Sequence, residues 1–501
     1  MRMWAQSHLC QQPQQVRSVL AAAFALIFLI LGSSRSASAL PAFARKYGLR
    51  CSACHESWPA LNNFGLKFRD NGYQLMNDRD APIWQNPGYW PVTFRITPIW
   101  HRVSSLQQVD VYTAGNPLPT SSTAARITSS GFDLSGLDFH TGGTLEKNIS
   151  FYVLPSSDPT AAFHFESVMA RLDNIGNSPW FNIKVGRFEL NNLLSEKRIL
   201  TLTANGGVYQ TYHFIPVGDG NIYGQMGDNQ FGMEYVGHSL DDRTRISAAL
   251  LSSNDGNVNL VTGGNNYSGF FTFDQGVDFG KLGVSRFGMY AFVGQAATYY
   301  RTTGGTPTTP GAPIPGSGID NKGFSRVGFT GQFYFGPHFD VNVVTQHGED
   351  NAWFGQGYGN PIAPSNGSST ASCTSPVPPP GCTLDNIPGV SVLPMGSRSP
   401  TWNGYLVEAR YVYSPQLIFL TRFEAERMSQ QATPGTPLNL GNVTNYVIGY
   451  RYNPFMTSRA GFAYHGEFNL FHQDGTGPIN ALGNTTSINT SELLFGVDFD
   501  F

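Results

Sequence analysis

Cys51-Ser52-Ala53-Cys54-His55 sets two thiols three residues apart with an imidazole directly after them. That spacing is the attachment pattern of a c-type haem. The thiols become thioethers to the haem vinyl groups, and the histidine ligates the iron from the proximal side. Other chemistries of a CxxC pair fit less well. A structural zinc site needs a second ligand pair, and the chain has no second CxxC. A thioredoxin-type redox pair opens a helix within a βαβ unit, an alternation this sequence lacks. The expectation is therefore one covalent haem c on Cys51 and Cys54, with His55 on the iron.

The second axial ligand is open. Met76 follows the motif, but an intervening helix of about 20 Å would carry it away from His55 unless the chain turns back. His164 and His465 are alternatives, each on an alternating stretch with an acid on its own face, Glu166 and Glu467 respectively. Arg410, Arg422, Arg451 and Arg459, with Glu408 and Glu424, read as a charged inner wall. Its arginines either pair with the acids or hold haem propionates. Glu349-Asp350, at the outer end of a strand, is a weaker candidate for attracting cations.

Haem attachment of this kind implies export, and the N-terminus agrees. Arg2 and Arg17 lie in a polar region, Val19 to Leu31 is a short apolar run, and Ala37-Ser38-Ala39 is a small-residue cleavage site. Residues 1–39 read as a signal peptide. The run is shorter than the roughly 20 residues of a spanning helix. Of the five cysteines, Cys10 falls in this leader. Cys373 and Cys382 remain, in a Ser/Pro/Gly-rich stretch, and are expected to form a disulfide in an oxidising compartment. So short a closed loop would stabilise by about 2.5–3 kcal/mol at most.

The elements that hold the motif are legible from composition and period. Charged residues are 13% of the chain, about half the usual share, while glycines number 56 and aromatics reach 13%. The net charge of −3 excludes a basic nucleic-acid binder. Between Gln416 and Met428, Leu417, Phe419, Thr421, Phe423 and Ala425 alternate with Leu420, Arg422, Glu424 and Glu426. A period of two over such a length is a membrane β-strand, apolar toward lipid and polar toward a lumen. Leu493 to Phe501 repeats it and ends on Phe, like the terminal signal of bacterial outer-membrane barrels.

Extending this reading predicts an all-β transmembrane antiparallel barrel of about sixteen strands across 89–501. Tight turns are expected at Glu146-Lys147-Asn148, Leu240-Asp241-Asp242, Gly336-Pro337, Ser414-Pro415 and Asn453-Pro454. Long connections are expected near 104–131, 191–228, 302–320, 350–401, 429–440 and 473–488. Short turns belong in the periplasm and long loops outside.

A barrel of this size leaves an aqueous channel unless something fills it. Residues 40–88 are the natural filler, with a helix expected from Trp58 to Asn71, Ser57 as N-cap and Gly72 past its end. Leu61, Phe64, Gly65 and Phe68 would form its apolar stripe, able to cover one haem face. Asn63, Lys67 and Asp70 would face away.

Pro41-Ala42-Phe43-Ala44-Arg45-Lys46-Tyr47-Gly48, then CSACH, then Pro59, Leu61, Phe64-Gly65, Phe68 and Gly72-Tyr73 resemble the N-terminus of fused outer-membrane monohaem cytochrome–porins. The match covers about residues 41–75. Where many members carry Thr-Pro, this chain has Asn62-Asn63. The resemblance implies electron transfer across the outer membrane through one haem. Oxidation of extracellular Fe(II) is the leading specific expectation, an iron:cytochrome c oxidoreductase chemistry. It also implies contact with outer-membrane lipid and a periplasmic c-type cytochrome or copper protein as electron acceptor. Two other classes are a solute-transporting porin with a haem plug or sensor, and a haem peroxidase.

Overall fold

The computed structural model describes residues 41–57, 60–75, 91–112, 119–157, 163–196, 198–200, 209–214, 226–227, 229–252, 267–298, 320–350, 401–430, 442–456, 460–474 and 487–501. Sixteen strands in these residues close into one antiparallel barrel. They are β1 Val92–Tyr112, β2 Pro119–Glu146, β3 Ile149–Ser157, β4 Phe163–Leu172, β5 Asn182–Phe188, β6 Gln230–His238, β7 Thr244–Ser252 and β8 Tyr267–Asp278. The second half is β9 Val284–Thr298, β10 Asp320–Tyr334, β11 Phe339–Asp350, β12 Thr401–Ser414, β13 Leu417–Gln430, β14 Val443–Met456, β15 Gly461–Gln473 and β16 Ile488–Asp500. Each strand pairs with its neighbours in sequence, and β16 closes the ring against β1 with Phe495 opposite Trp100. Phe501 seals that seam by exchanging backbone hydrogen bonds with Phe94 at 2.8 and 2.9 Å.

Alternation sets the two faces as expected. In β13, Leu420, Arg422, Glu424 and Glu426 are buried while Phe419 is exposed, and in β16 Leu494 and Asp498 are buried while Phe495 and Phe499 are exposed. Phe271, Met289, Phe329, Val407, Ile448 and Leu470 continue an apolar outer surface around the ring. Charge inside and hydrocarbon outside inverts the pattern of a water-soluble protein and reads as a wall spanning a bilayer.

One end of the barrel is made of tight turns. Asn148 and Asp242 take left-handed φ values of 65° and 58° there, which short polar side chains tolerate. The expected turn at Asn453-Pro454 is corrected, because β14 continues through these residues to Met456. A register shift between Tyr452 and Phe455 leaves Pro454 out of the ladder, so its missing N–H costs no hydrogen bond. The expected long connection at 104–131 is also corrected. β1 and β2 run on as a paired hairpin to Tyr112 and Pro119. This extension is rich in Ser, Thr and Gln, and Thr123, Ala124 and Arg126 to Ser130 are exposed on both faces, so the period-two signal is lost there.

The lumen is filled in two layers. Residues 41–75 occupy the tight-turn end. Between β5 and β6, where an outer loop was expected over 191–228, the described residues 191–196, 198–200 and 209–214 turn inward instead. Leu193, Leu194, Ile199, Leu200 and Tyr209 are fully buried there, in one cluster with Phe270, Tyr290, Phe292 and Phe324 of the wall. Their apolar character is the reason, since each buried side chain of this size gains about 1.5–3 kcal/mol. Arg410 Nη1 donates to Ile199 O at 3.0 Å, and Tyr209 Oη donates to Glu408 Oε2 at 3.3 Å, so the polar wall meets the inward strip's own polar groups. The strip touches the 41–75 segment through Leu61 N donating to Arg198 O at 2.9 Å.

Candidate functional site

The CxxCH motif forms a single helical turn, α2 (Cys51–Cys54), after helix α1 (Pro41–Tyr47). One turn carries residues i and i+3 to the same side, the arrangement two thioethers on one ring require. His55 follows directly and is 8% exposed. It opens a short antiparallel ribbon in which His55–Ser57 pairs with Ala60–Leu61, His55 lying opposite Leu61. Helix α3 then spans Asn63–Asp70. The expected start at Trp58 is thus corrected, because the ribbon occupies that stretch and Asn62 caps the helix instead of Ser57. Its side chain accepts from Gly65 N at 2.9 Å.

Asn62 also binds the motif itself. Its backbone N–H donates to Cys54 O at 2.9 Å, and its amide donates to Ala53 O at 3.0 Å and Ser52 O at 3.3 Å. One residue therefore satisfies carbonyls at the end of the CxxCH turn and starts the next helix. Asn63 faces the wall, where its Oδ1 accepts from Arg286 Nη2 at 3.3 Å. Asn62-Asn63 thus supplies both a clamp on the motif and a tie to the barrel.

Gly65 completes the clamp. A Cβ built there lies 2.9 Å from the carbonyl carbon of Cys54, closer still to its oxygen, and 3.0 Å from Leu61 Cδ2. The backbone of α3 rests directly on the motif, an approach only glycine permits.

Cys54 is half-buried and in no disulfide. Burial pushes its thiol up to about 11. A neutral thiol is a poor nucleophile and a poor zinc ligand, while thioether formation leaves a neutral sulfur suited to this setting. The fit to covalent haem rests on that unbridged neutral thiol, the buried His55, and a motif backbone held in one satisfied turn.

The apolar stripe expected on α3 is split. Leu66 and Phe68 are buried and Leu61 is half-buried, whereas Phe64 is 45% exposed. Phe68 belongs to an aromatic knot with Phe43 at 5.3 Å and Tyr47 at 5.7 Å, and Tyr73 stacks on Phe43 at 5.2 Å. Tyr152 of the wall stacks on Tyr73 at 6.0 Å, joining the knot to the barrel.

Asp70, expected to face away, is 2% exposed and is the main polar anchor. It pairs with Arg69 at 2.7 Å and with Arg245 of β7 at 2.8 Å. Burial alone would raise its pKa, but the two guanidinium groups outweigh it and hold the carboxyl well below the usual range. Arg245 also lies 3.8 Å from both Asp242 and Asp274, and Arg171 donates to Arg69 O at 3.1 Å and to Asp70 O. A second anchor joins Glu56 to Arg410 at 3.2 Å, with Asp340 2.6 Å from the same guanidinium. Sequence period alone misplaced Asp70; an acid beside an arginine at a helix end, with barrel arginines to spare, was the only available signal.

Met76, Arg459, Cys373 and Cys382 lie outside the described residues. His164 is on an exposed face of β4, and His465 is buried 3.4 Å from Asp498. The described members of the expected charged wall, Arg410, Arg422 and Arg451, answer acids. Arg422 lies 3.8 Å from Glu408 and 3.3 Å from Glu424, under the Tyr209 ring, and Arg451 pairs with Asp498. Of Arg410, Arg422 and Arg451, Arg410 is the one that pairs with the 41–75 segment, through Glu56. Asp350 is no cation lure, since it is buried against Arg326 at 2.8 Å.

No protein-family model matches the chain, and no curated protein matches it. Among solved structures it is similar to the outer membrane channel DcaP of Acinetobacter baumannii, at 10% identity over 82% of this chain and 97% of that one, with a TM-score of 0.45. It is likewise similar to the anion-selective porin of Comamonas acidovorans, at 10% identity over 81% and 100% with a TM-score of 0.43. Pseudomonas putida OprB shows 9% identity over 81% and 94%, with a TM-score of 0.42. Such similarity concerns barrel architecture alone.

Proposed function

We propose that this chain is an outer-membrane cytochrome–porin that passes electrons across the bilayer through one covalent haem on Cys51 and Cys54, with His55 on the iron. The observation that carries the reading is the CxxCH turn seated inside the tight-turn end of a membrane barrel. A hydrocarbon layer of about 25–30 Å is too thick for direct tunnelling between an outside donor and a periplasmic carrier, so a centre held within the wall divides the gap. The haem, when bound, supplies one-electron chemistry. The chain's own work is positional and dielectric. Asn62 and Gly65 hold the motif backbone, the aromatic knot and Asp70 fix the segment in the lumen, and the inward residues 189–196, 198–200 and 209–214 pack above it. That filling disfavours the solute-porin reading. Tight turns in the periplasm put the motif on the side of a periplasmic c-type cytochrome or copper protein, with extracellular Fe(II) as the proposed donor.

The test is direct. Denatured protein should keep haem stain on a gel, and Cys51→Ala/Cys54→Ala should lose it; full staining of the double variant sinks the reading. Stopped-flow mixing of the holoprotein with Fe(II) should reduce it in one phase. A six-coordinate low-spin spectrum is expected, whereas a high-spin haem that reacts with peroxide would make the protein a peroxidase.

A further inference from the structure

We propose that the tight-turn face of the 41–75 segment is a cationic docking surface for a small acidic electron carrier. The inference rests on the electron-transfer reading and extends it to the chemistry of the partner. Among the described residues of this segment stand five cations, Arg45, Lys46, Arg50, Lys67 and Arg69, against two acids, Glu56 and Asp70. Both acids are committed to the barrel, Glu56 to Arg410 and Asp70 to Arg245. Arg69 is buried with Asp70, and Arg45 Nη2 donates to Val92 O at 2.7 Å. The fully exposed charges are of one sign: Arg50 and Lys67 are exposed, while Lys46 and Glu56 are both half-buried and Glu56 answers Arg410.

Neighbouring charge does not share this bias. On the rim, Glu146 sits beside Lys147, and Arg243 lies 3.7 Å from Asp241 and 3.0 Å from Asp278. The single-sign field is thus confined to the segment that carries the motif, with Arg50 immediately before Cys51. Its other side is covered, since Leu66, Phe68 and Tyr73 pack into the lumen cluster and Leu61 bonds to Arg198. The cations therefore face outward from the tight-turn end. Electron-transfer encounters are small and transient, and charge complementarity supplies their rate and orientation rather than buried area. A cationic patch of this kind selects a carrier with an acidic rim.

The experiment uses the full-length holoprotein in nanodiscs and two soluble monohaem cytochromes as probes, one acidic and one basic. Association is followed by biolayer interferometry, and electron transfer by stopped flow, at low and high salt. The native protein should bind the acidic probe faster, with a rate that falls steeply as salt rises. Lys46→Glu/Arg50→Glu/Lys67→Glu should slow association with the acidic probe about 100-fold at low salt and favour the basic one. Unchanged heat-modifiable gel mobility will show that the barrel is intact. Lys67→Glu should act more strongly than Lys281→Glu on a neighbouring turn. Equal rates for both probes, or equal effects of those two single reversals, would overturn the surface. The binding arm does not need haem. Salt-sensitive binding of the acidic probe by a protein that fails the haem stain would keep the surface and overturn the redox reading, whereas stained protein with no charge effect would overturn the surface alone.

Discussion

Gly65→Ala separates the structure from simple helix propensity, because the two predict opposite signs. Within a helix, replacing Gly by Ala ordinarily stabilises by about 0.5–1 kcal/mol. Here the added Cβ would stand 2.9 Å from the carbonyl carbon of Cys54, against 3.4 Å for an ordinary contact, and the carbonyl oxygen is nearer still. The neighbour is backbone and cannot rotate aside, so α3 and the motif turn must part by at least about 0.5 Å. Overpacking of this kind costs about 1–3 kcal/mol. The same movement pulls Cys54 O from Asn62 N, now at 2.9 Å, and losing that hydrogen bond costs about 1 kcal/mol more. After the propensity gain is subtracted, the net destabilisation is about 2 kcal/mol, or roughly 30-fold in a local opening equilibrium. Amide exchange at Asn62 and Leu66 reads that opening directly, since both N–H groups are hydrogen-bonded at 2.9 Å. Exchange should quicken about 30-fold in Gly65→Ala and stay near native in Lys67→Ala on the exposed face of the same helix. Slower exchange in Gly65→Ala would refute the claim that α3 rests on the CxxCH turn.

Asp70→Asn keeps shape but leaves Arg69 and Arg245 with one fewer counter-charge; at about 3 kcal/mol for a broken buried pair, protease sensitivity of residues 41–75 should rise while the barrel's gel mobility is unchanged. Burial first, and then Asp70, raises the Asp242 carboxyl to about 7 despite Arg245 and Arg286. A raised acid favours the docked state when protonated, so acidification from pH 8 to 5 should tighten docking, and alkalinisation through about 7 should loosen it. Intrinsic-rate-corrected exchange across 63–70 will show the sign, and looser docking at pH 5 would contradict it. A tag inserted near Ser368 should be reached by antibody on intact cells, and one at Ser414-Pro415 should not; the reverse would invert the orientation. Planar bilayers should show little conductance from the native protein, and shortening the inward strip around Tyr209–Phe214 should raise it several-fold.

The CxxCH motif and the barrel were legible in the sequence because each rests on short-range rules. A CxxCH is read from five consecutive residues, and a lipid-facing strand declares itself by a period of two, as Leu417 to Glu426 and Leu493 to Phe501 do. Sixteen such stretches were enough for the architecture, and all sixteen close the ring. Boundaries failed where that signal had no physical cause to exist. In the hairpin extension, residues 123, 124 and 126–130 of β2 are exposed on both faces, and Pro454 sits in a bulge that hides a continuing strand.

What fills the pore was decided only in three dimensions. Helical period put Asp70 on a solvent face and Phe64 on the buried one, because period knows nothing of the surface an element meets. The lumen is lined with Arg171, Arg245 and Arg286, and against such a wall an acid is the residue to bury. The inward strip follows the same logic, since Leu193, Leu194 and Tyr209 look like an ordinary loop until the closed wall offers Phe270, Tyr290 and Phe324 from distant strands. Local chemistry determined the motif and the strands; burial of charge and hydrocarbon inside a closed barrel, a property of the whole ring, decided where the motif is held.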